Sequence, residues 1–196
     1  TKNTVCKTKG NLNNHIGLPL TILSLKDEEV LVVEMGMNHF REIAYLASIA
    51  RPDVAVITNI GTMHIEHLGS QEGILKAKLE ILEGMPADGK LVLNGDDSLL
   101  WNQRKTARIK GVFFGYNNPE CHVFAESVRQ DGAWLRFTVK AGATRIPIEL
   151  PVEGDLTRLM ALYADYTQMP DICAIRSCFV RRFYRRNFFC RNNIFW

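Results

Sequence analysis

Residues 54–70 read "VAVITNIGTMHIEHLGS", and the reading of this stretch decides the fold. Its opening, Val54 to Ile57, is an apolar run without alternation, as expected of a strand buried on both faces. The run then breaks, and His64, Glu66 and His67 crowd between Gly61 and Gly69. A buried strand that empties into a polar connection points to an open α/β sheet, where ligands sit just beyond the carboxyl ends of the strands.

Working outward, "VLVVEMG" (Val30 to Gly36), "KLVLNG" (Lys90 to Gly95) and "VFFG" (Val112 to Gly115) repeat the apolar run. Segments of helical period lie between them. "GLPLTILSLK" can start a helix near Gly17 and Pro19, because proline suits a first turn. "NHFREIAYLASIAR" reads as helix and stops before Pro52. "SQEGILKAKLEILEG" opens on a serine cap at Ser70 and closes at Gly84. Strands alternating with helices predict an α/β fold with a mostly parallel, doubly wound sheet over residues 1–118. From about Asn118 the period changes: "HVFAESVRQ", "AWLRFTVKA" and "TRIPIEL" are separated by Asp131-Gly132 and by "AGA". Residues 119–152 thus predict a small antiparallel meander with one solvated face.

The bulk numbers agree with one domain. The chain has 196 residues, 46% of them hydrophobic, enough for a real core. Five cysteines, an odd count at irregular spacing, do not form a disulfide framework, so a reducing cytoplasm is expected. No apolar run approaches the roughly 18 residues of a membrane span, and no signal-peptide pattern opens the chain. The charge is uneven. From Asp171 onward six arginines face one acid, a local +5 against a total of +3, which leaves residues 1–170 at −2. The segment 153–196 reads as a basic, aromatic tail foreign to what precedes it, whether frame-shifted or fused. Its "RRFYRRNFFCRNN" interleaves arginine with aromatics, which could suit single-stranded nucleic acid or an acidic partner, but it carries no recognisable binding motif. Cys173, Cys178 and Cys190 lack the paired spacing of a zinc site.

Polar residues close three of the buried runs: Glu34, then Thr58 and Asn59, then Asn94 with Asp96 and Asp97. On a parallel sheet these would share a rim with His64; ordinary strand-end capping is the plainer alternative. "GNLNNHIGLPLTIL" adds Asn11, Asn13, Asn14 and His15 before a helix start, either a place for an anion or simple turn chemistry. The helix after His64 says more. On a wheel of about 100° per residue centred on Lys78, the residues Ile74, Leu75, Ile81, Leu82 and Met85 fall within about 60° of it. Lys76, Glu80 and Glu83 point away, and Lys76 with Glu80 forms a surface i,i+4 pair. Lys78 therefore lies in the apolar stripe. It can snorkel to the edge, pair with a buried acid, or stay neutral and be modified. A neutral amine can add carbon dioxide, giving a carbamate that would suit Mg²⁺, which takes oxygen ligands.

"KTKGNLNNHIGLPLTIL", "VVEMGMNHFREIAYLASIARPDVAVITNIGTMHIEHLGS", "GILKAKLEILEG" and "LVLNGDD" resemble the Mur ligase family, collinearly from about Val5 to Gly154, and in particular its D-alanyl-D-alanine-adding branch. The resemblance implies three domains, of which this chain is most of the central, P-loop-NTPase-like one. It implies an acid–amino-acid ligase of peptidoglycan precursor synthesis, with ATP as co-substrate and two Mg²⁺ ions. ATP would phosphorylate the carboxylate of a UDP-MurNAc-tripeptide, and the amine of D-Ala-D-Ala would then displace phosphate. By the same resemblance Glu34 holds one Mg²⁺ near the phosphates, His64 holds the second, and Lys78 is carbamylated and serves that second ion. Asn13, Asn14, Asn38 and His39 match segments facing the nucleotide-sugar peptide, and Asn59 matches the strand end beside the phosphates. A monomer is expected. The family's Gly-rich P-loop lies upstream of the strand holding "VCKT", where this chain begins, and its adenine-side helix follows "LPVEG". This polypeptide alone is therefore expected to bind ATP poorly and to ligate nothing.

Overall fold

A computed structural model describes residues 4–106 and 111–150. The expectations for 153–196, with its arginine–aromatic run and its three cysteines, lie outside the described residues. In chain order the elements are β1 (Val5–Lys7), α1 (Gly17–Leu23), β2 (Val30–Val32), α2 (Glu42–Ala50), β3 (Val54–Ile57), α3 (Ile65–Leu68) and α4 (Gln71–Leu79). A 3₁₀ turn over Glu80–Glu83 extends α4; then come β4 (Lys90–Asn94), α5 (Ser98–Asn102), β5 (Gly111–Gly115), β6 (Val123–Asp131), β7 (Trp134–Ala141) and β8 (Thr144–Leu150).

The apolar runs are the parallel strands. β1 pairs with β2, and β3, β4, β5 and β6 follow one another in parallel. β6, β7 and β8 continue the same sheet antiparallel. The chain is thus α/β, with a mostly parallel sheet and an antiparallel β6–β8 region. Two-residue turns join the last three strands. Their first residues, Gly132 and Gly142, sit at φ 57° and 58°, where only glycine is free of steric cost.

Alternate strand residues separate into two buried clusters. Leu31, Ala55, Ile57, Leu91 and Leu93 face one side, with Leu18, Ile43, Leu46, Ile74, Ile81 and Leu100 from the helices. Val30, Val32, Val54, Val56, Val92 and Phe114 face the other, with Leu135, Phe137 and Val139 of β7. The shared alternation puts β2 and β3 in one layer, although no ladder among the described residues joins them.

The structure departs from expectation in two linked places. α2 begins at Glu42 rather than Asn38, because Arg41 takes a left-handed φ of 74°. The Glu42 carboxylate folds the preceding loop onto the helix start, accepting N–H bonds from Asn38 (2.6 Å) and His39 (3.3 Å). Glu80 is not on the surface and does not pair with Lys76: only 8% of it is exposed. The helix tightens to 3₁₀ at Glu80, which turns that residue off the ideal wheel and into α2.

Candidate functional site

The backbone just after β3 is pinned by side chains from three other elements. Asn94 Nδ2 at the end of β4 donates to the Thr58 carbonyl (2.9 Å), and Lys78 Nζ of α4 donates to the Asn59 carbonyl (2.7 Å). Asp97 Oδ2 accepts from the Ile60 N–H (2.6 Å), while Gln71 Nε2 donates to the Ile60 carbonyl (3.0 Å). Asp97 Oδ1 also takes the Leu99 and Leu100 N–H groups and so caps α5. A strand end held this way presents the following residues from a fixed base.

Lys78 is half-buried, with Ile74, Leu75 and Ile81 of its stripe buried. Its amine neither waves in solvent nor forms a direct bond to an acid; it is bound to a carbonyl. Burial pulls its pKa below the usual lysine range, and the negative charge of Asp97 partly opposes that pull. The outcome favours a neutral, nucleophilic amine more than free lysine does.

His64 follows on the same loop. It has a left-handed φ of 65° at the start of α3, an uncommon conformation for a non-glycine residue. It lines a cleft of about 680 Å³ with Asn13, Asn14, Asn38, Arg41 and Glu42. Two left-handed side-chain-bearing residues, Arg41 and His64, thus border one cleft, and such strain concentrates at functional sites. Glu34, just past β2, is tied to this wall: Asn13 Nδ2 donates to its Oε1 (2.8 Å), and its own N–H bonds to Thr8 Oγ1 (2.9 Å). Gly36 N–H in turn bonds to the Asn13 carbonyl (2.7 Å). Asn14 turns out to be a helix starter, its Oδ1 accepting from Ile16 and Gly17 N–H. His39 is exposed and does not line this cleft; its ring lies 4.7 Å from that of exposed His67.

The cleft therefore gathers Asn13, Asn14, Asn38 and His64, with Glu34 held by Asn13. Lys78 of α4 and Asn59, on the loop that leads to His64, form a second pair. Among the described residues no three His, Cys, Asp or Glu side chains converge as a metal cage. Glu34 offers the oxygen donor that Mg²⁺ takes, and Mg²⁺, which keeps several waters and binds phosphate oxygens, needs only one or two protein carboxylates; no bond among the described residues joins Glu34 to His64. A carbamate on Lys78 would add an anionic oxygen donor. Asp97 and Gln71 brace this region, and a sequence reading misses their roles. Asp97 has a faint signal, lying just behind a strand end, whereas Gln71 has none.

Comparison with known proteins agrees with this architecture. Residues 1–161 match the family described as Mur ligase middle domain. The chain is 54% identical over 137 residues to UDP-N-acetylmuramoyl-tripeptide–D-alanyl-D-alanine ligase of Bacillus subtilis (strain 168), covering 69% of the chain and 29% of that relative. It superposes on a crystal structure of MurF from Acinetobacter baumannii with a TM-score of 0.77 at 29% identity, covering 86% of the chain and 37% of that structure. For MurF ligase from Thermotoga maritima in complex with ADP the TM-score is 0.75 at 31% identity, with 86% and 39% covered. The chain thus spans between 29% and 39% of the length of these proteins.

Proposed function

The chain belongs to the Mur ligase family through its middle domain, and from that premise we propose that it is the ATP-handling part of a ligase joining D-alanyl-D-alanine to UDP-N-acetylmuramoyl-tripeptide. The 54% identity to the UDP-N-acetylmuramoyl-tripeptide–D-alanyl-D-alanine ligase of Bacillus subtilis (strain 168) carries this reading. In the reaction, a carboxylate oxygen of the tripeptide attacks the terminal phosphorus of ATP and ADP leaves. The free amine of the dipeptide then attacks the resulting acyl phosphate, inorganic phosphate departs, and the amine loses a proton. Consumption of ATP fits work in the cytoplasm.

The difficulty is electrostatic, because an anion must approach an anion. Magnesium, when bound, would screen that repulsion. We assign Glu34 to one ion, and His64, together with Lys78 once carbamylated, to a second. The neutral Lys78 amine adds to carbon dioxide: its nitrogen forms the new N–C bond, one N–H proton passes to solvent, and a carboxylate results. The bond from Lys78 to the Asn59 carbonyl keeps that nitrogen beside the β3 strand end. Asn13 orients Glu34 by occupying one of its two oxygens. Asn14, Asn38 and His39 are assigned to the peptide side, and Asn59 to the phosphate side.

Phosphate release by a complete ligase that carries this chain as its middle domain tests the proposal, the chain alone being expected to turn over nothing. Turnover is expected only when ATP, Mg²⁺, the UDP-muramoyl tripeptide and D-Ala-D-Ala are all present. Equal turnover with L-Ala-L-Ala, or none with the complete mixture, would refute it.

A further inference from the structure

Glu80 is a buried carboxylate that the ligation chemistry leaves unused. Both of its oxygens accept the Arg41 N–H, at 2.9 and 2.8 Å, and Oε2 also lies 3.4 Å from the Ala44 N–H. It therefore grips the first turn of α2 at the residue whose left-handed φ of 74° is the least comfortable in that segment. One residue further out, Glu42 folds Asn38 and His39 back onto the same helix start. The loop 38–41 is held from both sides, and it forms one wall of the cleft that His64 also lines. The grip comes from two residues beyond Lys78, on the 3₁₀ continuation of the same helix.

We propose that Glu80 is a positioning residue: its buried carboxylate clamps the Arg41 turn and so fixes the cleft wall lined by Asn38, Phe40 and Arg41 to the helix that bears Lys78. The identity of residue 41 makes a clamp necessary. Glycine would adopt a left-handed φ without cost, whereas an arginine must be held there. A hydrogen bond to a carboxylate is about twice as strong as a neutral one, and this one is nearly withdrawn from water. The arrangement also ties substrate-side geometry to the helix carrying the catalytic lysine, so the two cannot drift apart. The neighbouring Arg41–Glu83 ion pair (2.6 Å) is exposed and contributes little to the clamp.

The inference rests on Asn38 and His39 facing the nucleotide-sugar peptide, and its test separates the two ideas. In Glu80→Gln, one clamping oxygen is replaced by an NH₂ group that cannot accept the Arg41 N–H. In a complete ligase that carries this chain, the Michaelis constant for the UDP-muramoyl tripeptide is then expected to rise about tenfold, with kcat and the constant for ATP within about twofold, a loss of roughly 1.4 kcal/mol in substrate binding. Amide hydrogen exchange over residues 38–44 is expected to quicken while β3 and β4 stay protected. Unchanged exchange there overturns the proposal whatever the protein ligates, and so does a fall in kcat with all Michaelis constants intact. Should Asn38→Ala and His39→Ala leave tripeptide binding untouched, the substrate-side reading fails, and the exchange result still decides the clamp. Adding Arg41→Gly to Glu80→Gln is expected to recover part of the lost affinity. No recovery, or loss of the fold in both variants, makes Glu80 merely structural and overturns the proposal.

Discussion

At Lys78 the competing readings reduce to the behaviour of one amine. Desolvation lowers its pKa and Asp97 only partly restores it. The unfolded chain therefore keeps this proton to higher pH than the folded one, so folding gains stability as pH rises between the two values. In buffer free of carbon dioxide, wild-type stability is expected to climb from neutral to alkaline pH more steeply than that of Lys78→Met, as read by chemical denaturation at each pH. Equal slopes would show that the amine is solvated after all. With isotopically labelled carbon dioxide, a labelled carbamate carbon is expected by nuclear magnetic resonance in the wild type and is absent from Lys78→Ala. In a complete ligase that carries this chain, that variant is also expected to lose about a hundred- to a thousandfold in kcat, the scale of a missing electrostatic stabiliser. Glu42 illustrates the opposite sign. Burial pushes its carboxyl up, but the N–H bonds from Asn38 and His39 outweigh this and hold it below the usual range. Its contribution is present at neutral pH and is lost as pH falls through that lowered value.

Among the elements, the caps are the most testable features. Ser70 accepts the Gly73 N–H (3.1 Å) at the start of α4, and Ser70→Ala is expected to cost about 1 kcal/mol in thermal or chemical unfolding. Asp97 caps α5 and holds Ile60 as well, so Asp97→Ala is expected to cost more, about 2–3 kcal/mol, by leaving half-buried N–H groups unpaired. A loss no larger than that of Ser70→Ala would mean the Ile60 bond is idle. These elements also show what sequence alone conveys. The strands are legible because Val54–Ile57 and Lys90–Asn94 are short apolar runs, and Ser70 because its cap is local. The start of α2 is not, since nothing in "NHFREI" announces that Arg41 will turn left-handed. Glu80 is misplaced by an ideal wheel, which carries the α-helical period through a 3₁₀ turn. Its partner, moreover, lies 39 residues away in the chain. The candidate site is legible as a set of strand-end residues. Its wiring, above all the bonds of Lys78 and Gln71 to backbone carbonyls, depends on contacts between distant segments.

At the scale of the whole molecule, a sheet carries a buried cluster on each face, and the site is suspended from the strand ends on one edge. Leu93, fully buried in the helix-covered cluster, lies on β4 one residue before Asn94, which pins Thr58. Leu93→Ala is expected to destabilise by about 2–5 kcal/mol and to loosen that strand end. Among the described residues no helix is long and apolar enough to cross a membrane. Ligation through an acyl phosphate can be followed directly by the fate of oxygen. If the tripeptide carboxylate is labelled with heavy oxygen and the full reaction is run with a complete ligase that carries this chain, each released phosphate is expected to carry one labelled oxygen, in step with formation of the tripeptide–D-alanyl-D-alanine product. Unlabelled phosphate accompanying product formation would mean that the carboxylate never attacks ATP, and would contradict the assignment of this chain to acyl-phosphate chemistry.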